Sequence, residues 1–333
     1  MRSLLRVEAT RLRWRRAIVL LLVAAVAVPA LIFAATAWNT RPVSEGERDQ
    51  ILSERYAAKE VRRCERDPAN FLYPEPNSQD AEVVTAACEA QILDWYGGRS
   101  TLLLDQEVRA GSVLGVVAVV GLLMLLVGTT FVGHDWNSGS MSNQLLFEPR
   151  RSRVWAAKAL VVLATGTLVA GLVLAAYWTG LWVLAGSRGL PTGGGVVGDG
   201  FELVLRSAVL AGAAALGGYA LTMLFRSTVA TIGVLFAVSV VGGTLIGLLN
   251  SGGPDSSQRW QPQTHLAGWV TNEARYYDES SLPEECLSGR RVRGVDCDGE
   301  QVVTAADAGA YLGLLLLGAG AVSLVSYRRR DVP

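Results

Sequence analysis

The sequence predicts an all-α integral membrane protein with six transmembrane helices and two large extracytoplasmic loops, between spans one and two and between spans five and six. Three observations carry that expectation. Half of the 333 residues are hydrophobic and only 18% are charged, too apolar a balance for a soluble protein. The apolar residues are gathered into long runs rather than dispersed. The arginines cluster at alternate ends of those runs, so the formal net charge of +0 hides a strong asymmetry.

Residues 1–16 hold Arg2, Arg6, Arg11, Arg13, Arg15 and Arg16. Leu4, Leu5, Val7, Leu12 and Trp14 share a broad helical arc that Glu8, Arg11 and Arg15 interrupt. Two readings stand side by side here, an interfacial amphipathic helix and a basic flank that serves only to orient the chain.

Residues 17–38 form the first span, with Pro29 inside it and Trp38 at its outer end. It is long enough to cross ~30 Å of hydrocarbon. Ala35, Thr36 and Ala37 look like a signal-peptide cleavage site, but the run exceeds the usual apolar region of ~7 to 15 residues, so retention is expected.

Residues 39–110 carry 14 acidic and 9 basic side chains, which suits a small helical extracytoplasmic domain. Ser44 with Glu47, and Ser78 before residues 81–95, read as helix starts.

Further spans are expected at 112–133, 156–185, 205–225, 229–249 and 306–326, with a tail at 327–333. The glycine-rich stretch at 191–200 reads as a flexible turn. Ala214 and Gly218, Gly243 and Gly247, and Gly309 and Gly313 are four apart and allow close helix packing. Residues 250–305 form the second outer loop. Its Trp260, Trp269, Tyr276 and Tyr277 either dip toward the membrane surface or form the core of a small solvated domain.

Arginine placement orients the chain. The first 16 residues, the 134–155 connector, Arg226 and Arg328 to Arg330 fall on one side, whereas the short opposite loop at 186–204 has only Arg188. Both termini are therefore expected in the cytoplasm of a multi-pass cell-membrane protein. The four cysteines, Cys64, Cys88, Cys286 and Cys297, lie in the two outer loops, consistent with an oxidising compartment. Bridges between Cys64 and Cys88 and between Cys286 and Cys297 are expected because each pair shares one loop, although four cysteines permit three pairings.

Residues 134–155 are polar, arginine-rich and wedged between two apolar runs. Residues 141–147 read as one short helix that Pro149 ends. The order Asp135, Gly139, Leu145 and Leu146, Pro149, Arg151, Arg153 and Lys158 resembles the membrane subunits of ABC transporters of the type-2 exporter class. Asp135 stands where that family usually has Glu, and the spacing from Pro149 to Arg153 and Lys158 differs by about a residue. The resemblance implies that this segment is a coupling helix touching a separate cytoplasmic ABC ATPase subunit, and that those eight residues form the contact. It further implies a basic amphipathic helix before span one, a second permease copy or a similar chain completing a dimer, and re-entrant helices before the last span.

The chain has two lysines, Lys59 and Lys158, and neither sits in a phosphate-binding loop. Hydrolysis, with its ATP and magnesium, is thus expected on the partner, and this chain is expected to be no enzyme and to need no cofactor. The spans lack Asp and Glu in their central portions, which argues against an ion-coupled carrier. His134 and His265 fall on opposite sides of the membrane in this topology, so no metal site is expected. The partners expected are the ATPase, a second permease and membrane lipids, with no nucleic acid. The expected function is an export permease; the alternative is a membrane scaffold or sensor that binds a ligand or protein through its outer loops.

Overall fold

The computed structural model describes residues 1–72, 80–97, 99, 101–250, 255–278, 282, 286 and 298–331. The chain begins with α1 (Arg2–Trp14) and α2 (Arg16–Asn39). Four helices follow before the next long one: α3 (Glu45–Ser53), α4 (Arg55–Arg66), α5 (Ala81–Tyr96) and α6 (Leu104–Ala110). Then come α7 (Ser112–Asn137), the short α8 (Ser140–Phe147), α9 (Arg151–Ser187), α10 (Val196–Phe225) and α11 (Thr228–Asn250). The remainder is α12 (Pro262–Thr271), strand β1 (Glu273–Tyr277), strand β2 (Glu300–Thr304) and α13 (Ala305–Arg329).

Among the described residues five helices, α2, α7, α9, α10 and α13, are long and apolar enough to cross a membrane, which makes this a multi-pass membrane protein of largely helical build. The expected fifth span, 229–249, falls in α11, whose described apolar stretch is 228–241, so it is not among those five. The largely helical build agrees with the all-α expectation, and among the described residues one pair of short strands stands beside it. β1 and β2 pair antiparallel, with Glu273 opposite Thr304 and Tyr277 opposite Glu300. The β-branched Val302 and Val303 and the aromatic Tyr276 and Tyr277 favour strand geometry there.

α10 lies at the centre, packed along α7 and α9. Its buried positions Leu203, Ser207, Ala211, Ala215, Gly218 and Thr222 recur every three or four residues and so share one face. That face is built of small side chains. A Cβ on Gly128 of α7 would lie 1.9 Å from the Ala215 carbonyl oxygen, and one on Gly218 would lie 2.5 Å from the Leu125 carbonyl oxygen. The two backbones thus touch directly, as small residues permit in membrane bundles. The outer faces are aliphatic and open, with Leu168, Leu172, Leu205, Leu314 and Leu317 each more than half exposed.

The small-residue pairs divide. Gly218 lies at the α7 seam and Gly309 meets Trp269 of α12, whereas Gly313 has open space beside it. Ala214 is half-buried, and the side-chain surroundings of 243 and 247 lie outside the described residues. The 191–200 stretch is a turn only in its first half. Val196 opens α10, because Asp199 in the first turn complements the helix dipole and Gly200 presses against the Trp178 ring.

In the 39–110 segment Ser44 and Glu47 form a capping box at α3. Asp80, rather than Ser78, caps α5; Ser78 lies outside the described residues. Cys64 of α4 and Cys88 of α5 are joined by a disulfide, as expected. The expected bridge from Cys286 to Cys297 lies outside the described residues, because Cys297 does.

After α11, α12 packs on α13, with His265 stacked on Tyr311 at a centroid distance of 3.9 Å. Trp269 donates through Nε1 to the Arg206 carbonyl of α10 at 2.8 Å, so this tryptophan serves the helical bundle. Trp260 and Tyr277 are exposed.

Candidate functional site

The end of the bundle that holds the 134–155 connector also gathers both ends of the described chain. Arg151 at the start of α9 donates through Nη1 to the carbonyls of Tyr327 at 3.2 Å and Arg330 at 2.6 Å. It thereby caps the last turn of α13, where unpaired carbonyls carry partial negative charge. Arg226, in the turn between α10 and α11, donates to the Asp331 carbonyl at 2.7 Å and lies over the Trp136 ring. Tyr327 contacts Met141 of α8 through its hydroxyl and meets Trp136 edge-on.

A buried charge cluster ties α1 to this end. Lys158 Nζ lies 2.8 Å from Glu8 Oε2 and 2.6 Å from Asp135 Oδ2, and all three side chains are wholly buried. Arg15 pairs with the other oxygen of Asp135 and also donates to the Phe131 carbonyl. Ser140 Oγ donates to Asp135 Oδ1 at 3.0 Å. Gln144 donates to Glu8 Oε1 and accepts from Arg11 at 3.3 Å. The Lys158 ammonium and the Arg15 guanidinium both stand 5.1 Å from the Phe131 ring centroid.

Two carboxylates therefore face two close cations, Lys158 and Arg15, with Arg11 farther off at 3.9 Å from Glu8 Oε1, and each carboxylate oxygen has a donor. Completeness is what makes the arrangement tolerable. Taking an ion out of water costs several kcal/mol, and only full pairing with good geometry offsets that. Four helices, α1, α7, α8 and α9, meet through these groups, so none of them can shift without breaking an ion pair or a buried hydrogen bond.

The cluster sorts the residues that the sequence singled out. Asp135 and Lys158 turn inward and are consumed by the lock. Arg151 is held by the end of α13. Gly139 caps α8 in the left-handed region at φ 65°, which suits a residue without Cβ. Leu145 is half-buried against the core. Pro149 follows the helix end and is exposed, as is Arg153. Leu146 and Phe147 project from the bundle, 81% and 91% exposed.

α8 is thus two-sided. Met141 and Gln144 face the bundle and are buried, while Asn143, Leu146 and Phe147 face outward. Sequence reasoning missed Glu8, Arg15 and Gln144 as members of the site. One signal was present: Glu8 is the lone acid among the first 16 residues, beside six arginines, and it interrupts an apolar arc.

Among the described residues, no group of three or more His, Cys, Asp or Glu side chains comes together to hold a metal ion. No family model, no curated protein and no solved structure matches the chain.

Proposed function

We propose that the chain is the membrane-spanning permease subunit of an ATP-driven exporter, with the exposed face of α8 as the seat of a separate cytoplasmic ATPase subunit. One observation carries the reading: α8 is clamped by its inner face to two spans, α7 and α13, and to α1, yet presents Leu146 and Phe147 bare. Two large apolar side chains standing proud of a basic surface suit the central anchors of a protein contact. The charge lock behind them would pass a push on α8 to α1, α7 and α9 together.

Six crossings, with α11 as the fifth, belong to the same proposal. The contacts of Arg151 and Arg226 with residues 327–331, and of Lys158 with Glu8, bring both chain ends to one end of the bundle, which supports an even number of crossings. Arginine excess assigns that end to the cytoplasm. A second copy or a similar permease would complete the transport path.

The test is co-purification with the P-loop ATPase encoded nearest this chain, together with ATP turnover in the reconstituted complex. Leu146→Asp with Phe147→Asp should abolish co-purification and uncouple turnover, while membrane insertion and the Cys64 to Cys88 bridge stay intact. Arg153→Glu should weaken assembly less. Wild-type assembly and turnover in the double Asp variant would remove this reading.

A further inference from the structure

A furrow runs along the membrane-facing seam between α2 and α9 and opens beneath α1. Its α1 half is a cavity of about 660 Å³ lined by Leu12, Val19, Leu22, Val23 and Val26, with Thr165 of α9 opposite and Arg13 at its edge. Its far half, about 410 Å³, is lined by Val26, Pro29, Phe33, Leu172, Tyr177 and Gly180. The halves meet at Val26, and Phe33 lying against Gly180 closes the distal end.

We infer that this furrow binds one acyl chain of an anionic phospholipid, whose phosphate is held at its mouth by Arg13 within the basic field of α1. Three observations converge. The lining is almost wholly hydrocarbon, so water has no partners there and the membrane can fill it only with acyl chain. From Val19 to Phe33 the α2 helix rises ~21 Å at ~1.5 Å per residue, more than the ~15 Å depth of one leaflet, so a full acyl chain fits lengthwise.

Charge at the mouth selects the headgroup. Among the described residues, Arg2, Arg6, Arg13 and Arg16 make no ion pair, in contrast to Arg11 of α1 and Arg15 between α1 and α2, which pair with Glu8 and Asp135. Arg13 stands 5.9 Å from the ring centroid of Trp14, which is 74% exposed and suits a headgroup-level anchor. Such a lipid would wedge α1 against α2 on the side opposite the charge lock. The inference does not depend on transport or on any ATPase.

The experiment uses the full chain in detergent. Native mass spectrometry would titrate it with phosphatidylglycerol and with phosphatidylcholine of identical acyl chains. Phosphatidylglycerol should be retained more tightly, and Arg13→Ala with Arg16→Ala should lower its retention roughly 25-fold, at roughly fivefold per arginine near a charged surface. Val23→Trp, which fills the furrow, should lower retention of both lipids. A phosphatidylglycerol with a photoreactive group midway along its acyl chain should label the wild-type chain within 19–27 and 161–173, a readout that needs no variant to fold.

Equal retention of the two lipids by the wild-type chain would overturn the inference. So would labels scattered over the outer faces of α10 and α13. Loss of a dimer in Val23→Trp with lipid retention unchanged would make the furrow a seam between copies and would equally overturn it.

Discussion

The two ends of this bundle are held by different chemistry. At the α8 end, four helices converge on Glu8, Asp135, Lys158 and Arg15, a network of buried charge that spans long sequence separations and no covalent bond. In the segment between α2 and α7, the Cys64 to Cys88 disulfide joins two neighbouring helices and a half-buried pair, Glu47 with Arg99, ties α3 to the chain beyond α5. A covalent bridge acts chiefly on the unfolded chain. A buried ionic network is all or nothing: complete it locks, and with one member missing it forces its neighbours apart. The first suits a rigid outer cap, the second a junction that must move as one unit.

Breaking the buried network should have the largest effect. Lys158→Met leaves the wholly buried Glu8 with only the distant Arg11, at 3.9 Å, and Asp135 with Arg15 as its one cation. Removing one partner of a buried pair costs ~3 to 5 kcal/mol. Thermal unfolding in detergent should show that loss, and limited proteolysis should release α1 first. Adding Glu8→Gln to Lys158→Met removes the orphaned carboxylate and leaves Asp135 paired with Arg15, so most of the stability should return. Equal stability of the single and double variants would mean that the network is not the lock described here.

Removing the covalent bridge should cost less and act locally. Cys64→Ser with Cys88→Ser opens a loop whose ends are separated by 24 residues, worth ~3 kcal/mol in the chain-entropy model. The loss should fall on α3 to α5, as faster proteolysis between α2 and α7, with the spans and the α8 end unchanged. Unfolding of the whole bundle in this variant would erase the contrast between the two ends.

The spans were legible because the bilayer demands long apolar runs, and the expected limits of α2 and α13 fall within a residue or a few of those observed. The short connector helix and its stop at Pro149 were legible from local turn chemistry. The lock was not. Lys158 and Asp135 stood out in the sequence, but as charges flanking a loop, where arginines and acids usually face water. Their inward turn depends on Glu8, which sits 150 residues from Lys158 in the chain, and no local rule couples positions so far apart. The two strands escaped notice for a related reason: β1 and β2 are each five residues long and pair only with each other across a long connection.

The smallest effect expected concerns pH and the half-buried pair of the segment between α2 and α7. Glu47 accepts hydrogen bonds from Arg99 at 2.8 and 3.2 Å and from the Ser44 backbone and hydroxyl at 3.1 and 3.0 Å. Those donors, Arg99 foremost, pull its carboxyl from the usual 4.5 down to about 2. A carboxylate whose folded value is depressed contributes stability that is complete above the unfolded value and is lost as pH falls through the folded one. The start of α3 should therefore be fully held above about pH 4.5 and should loosen progressively between there and about pH 2. Because the pair is only half-buried, solvent still screens much of its strength, so the change should be confined to α3 and its contact with Arg99. Hydrogen exchange of the α3 amides at pH 6 and at pH 3 would measure it. Glu47→Gln should flatten the difference between the two pH values while leaving Cys64 and Cys88 joined. A pH response of α3 that survives in Glu47→Gln would assign the titration to another group and remove this pair from the description of the outer cap.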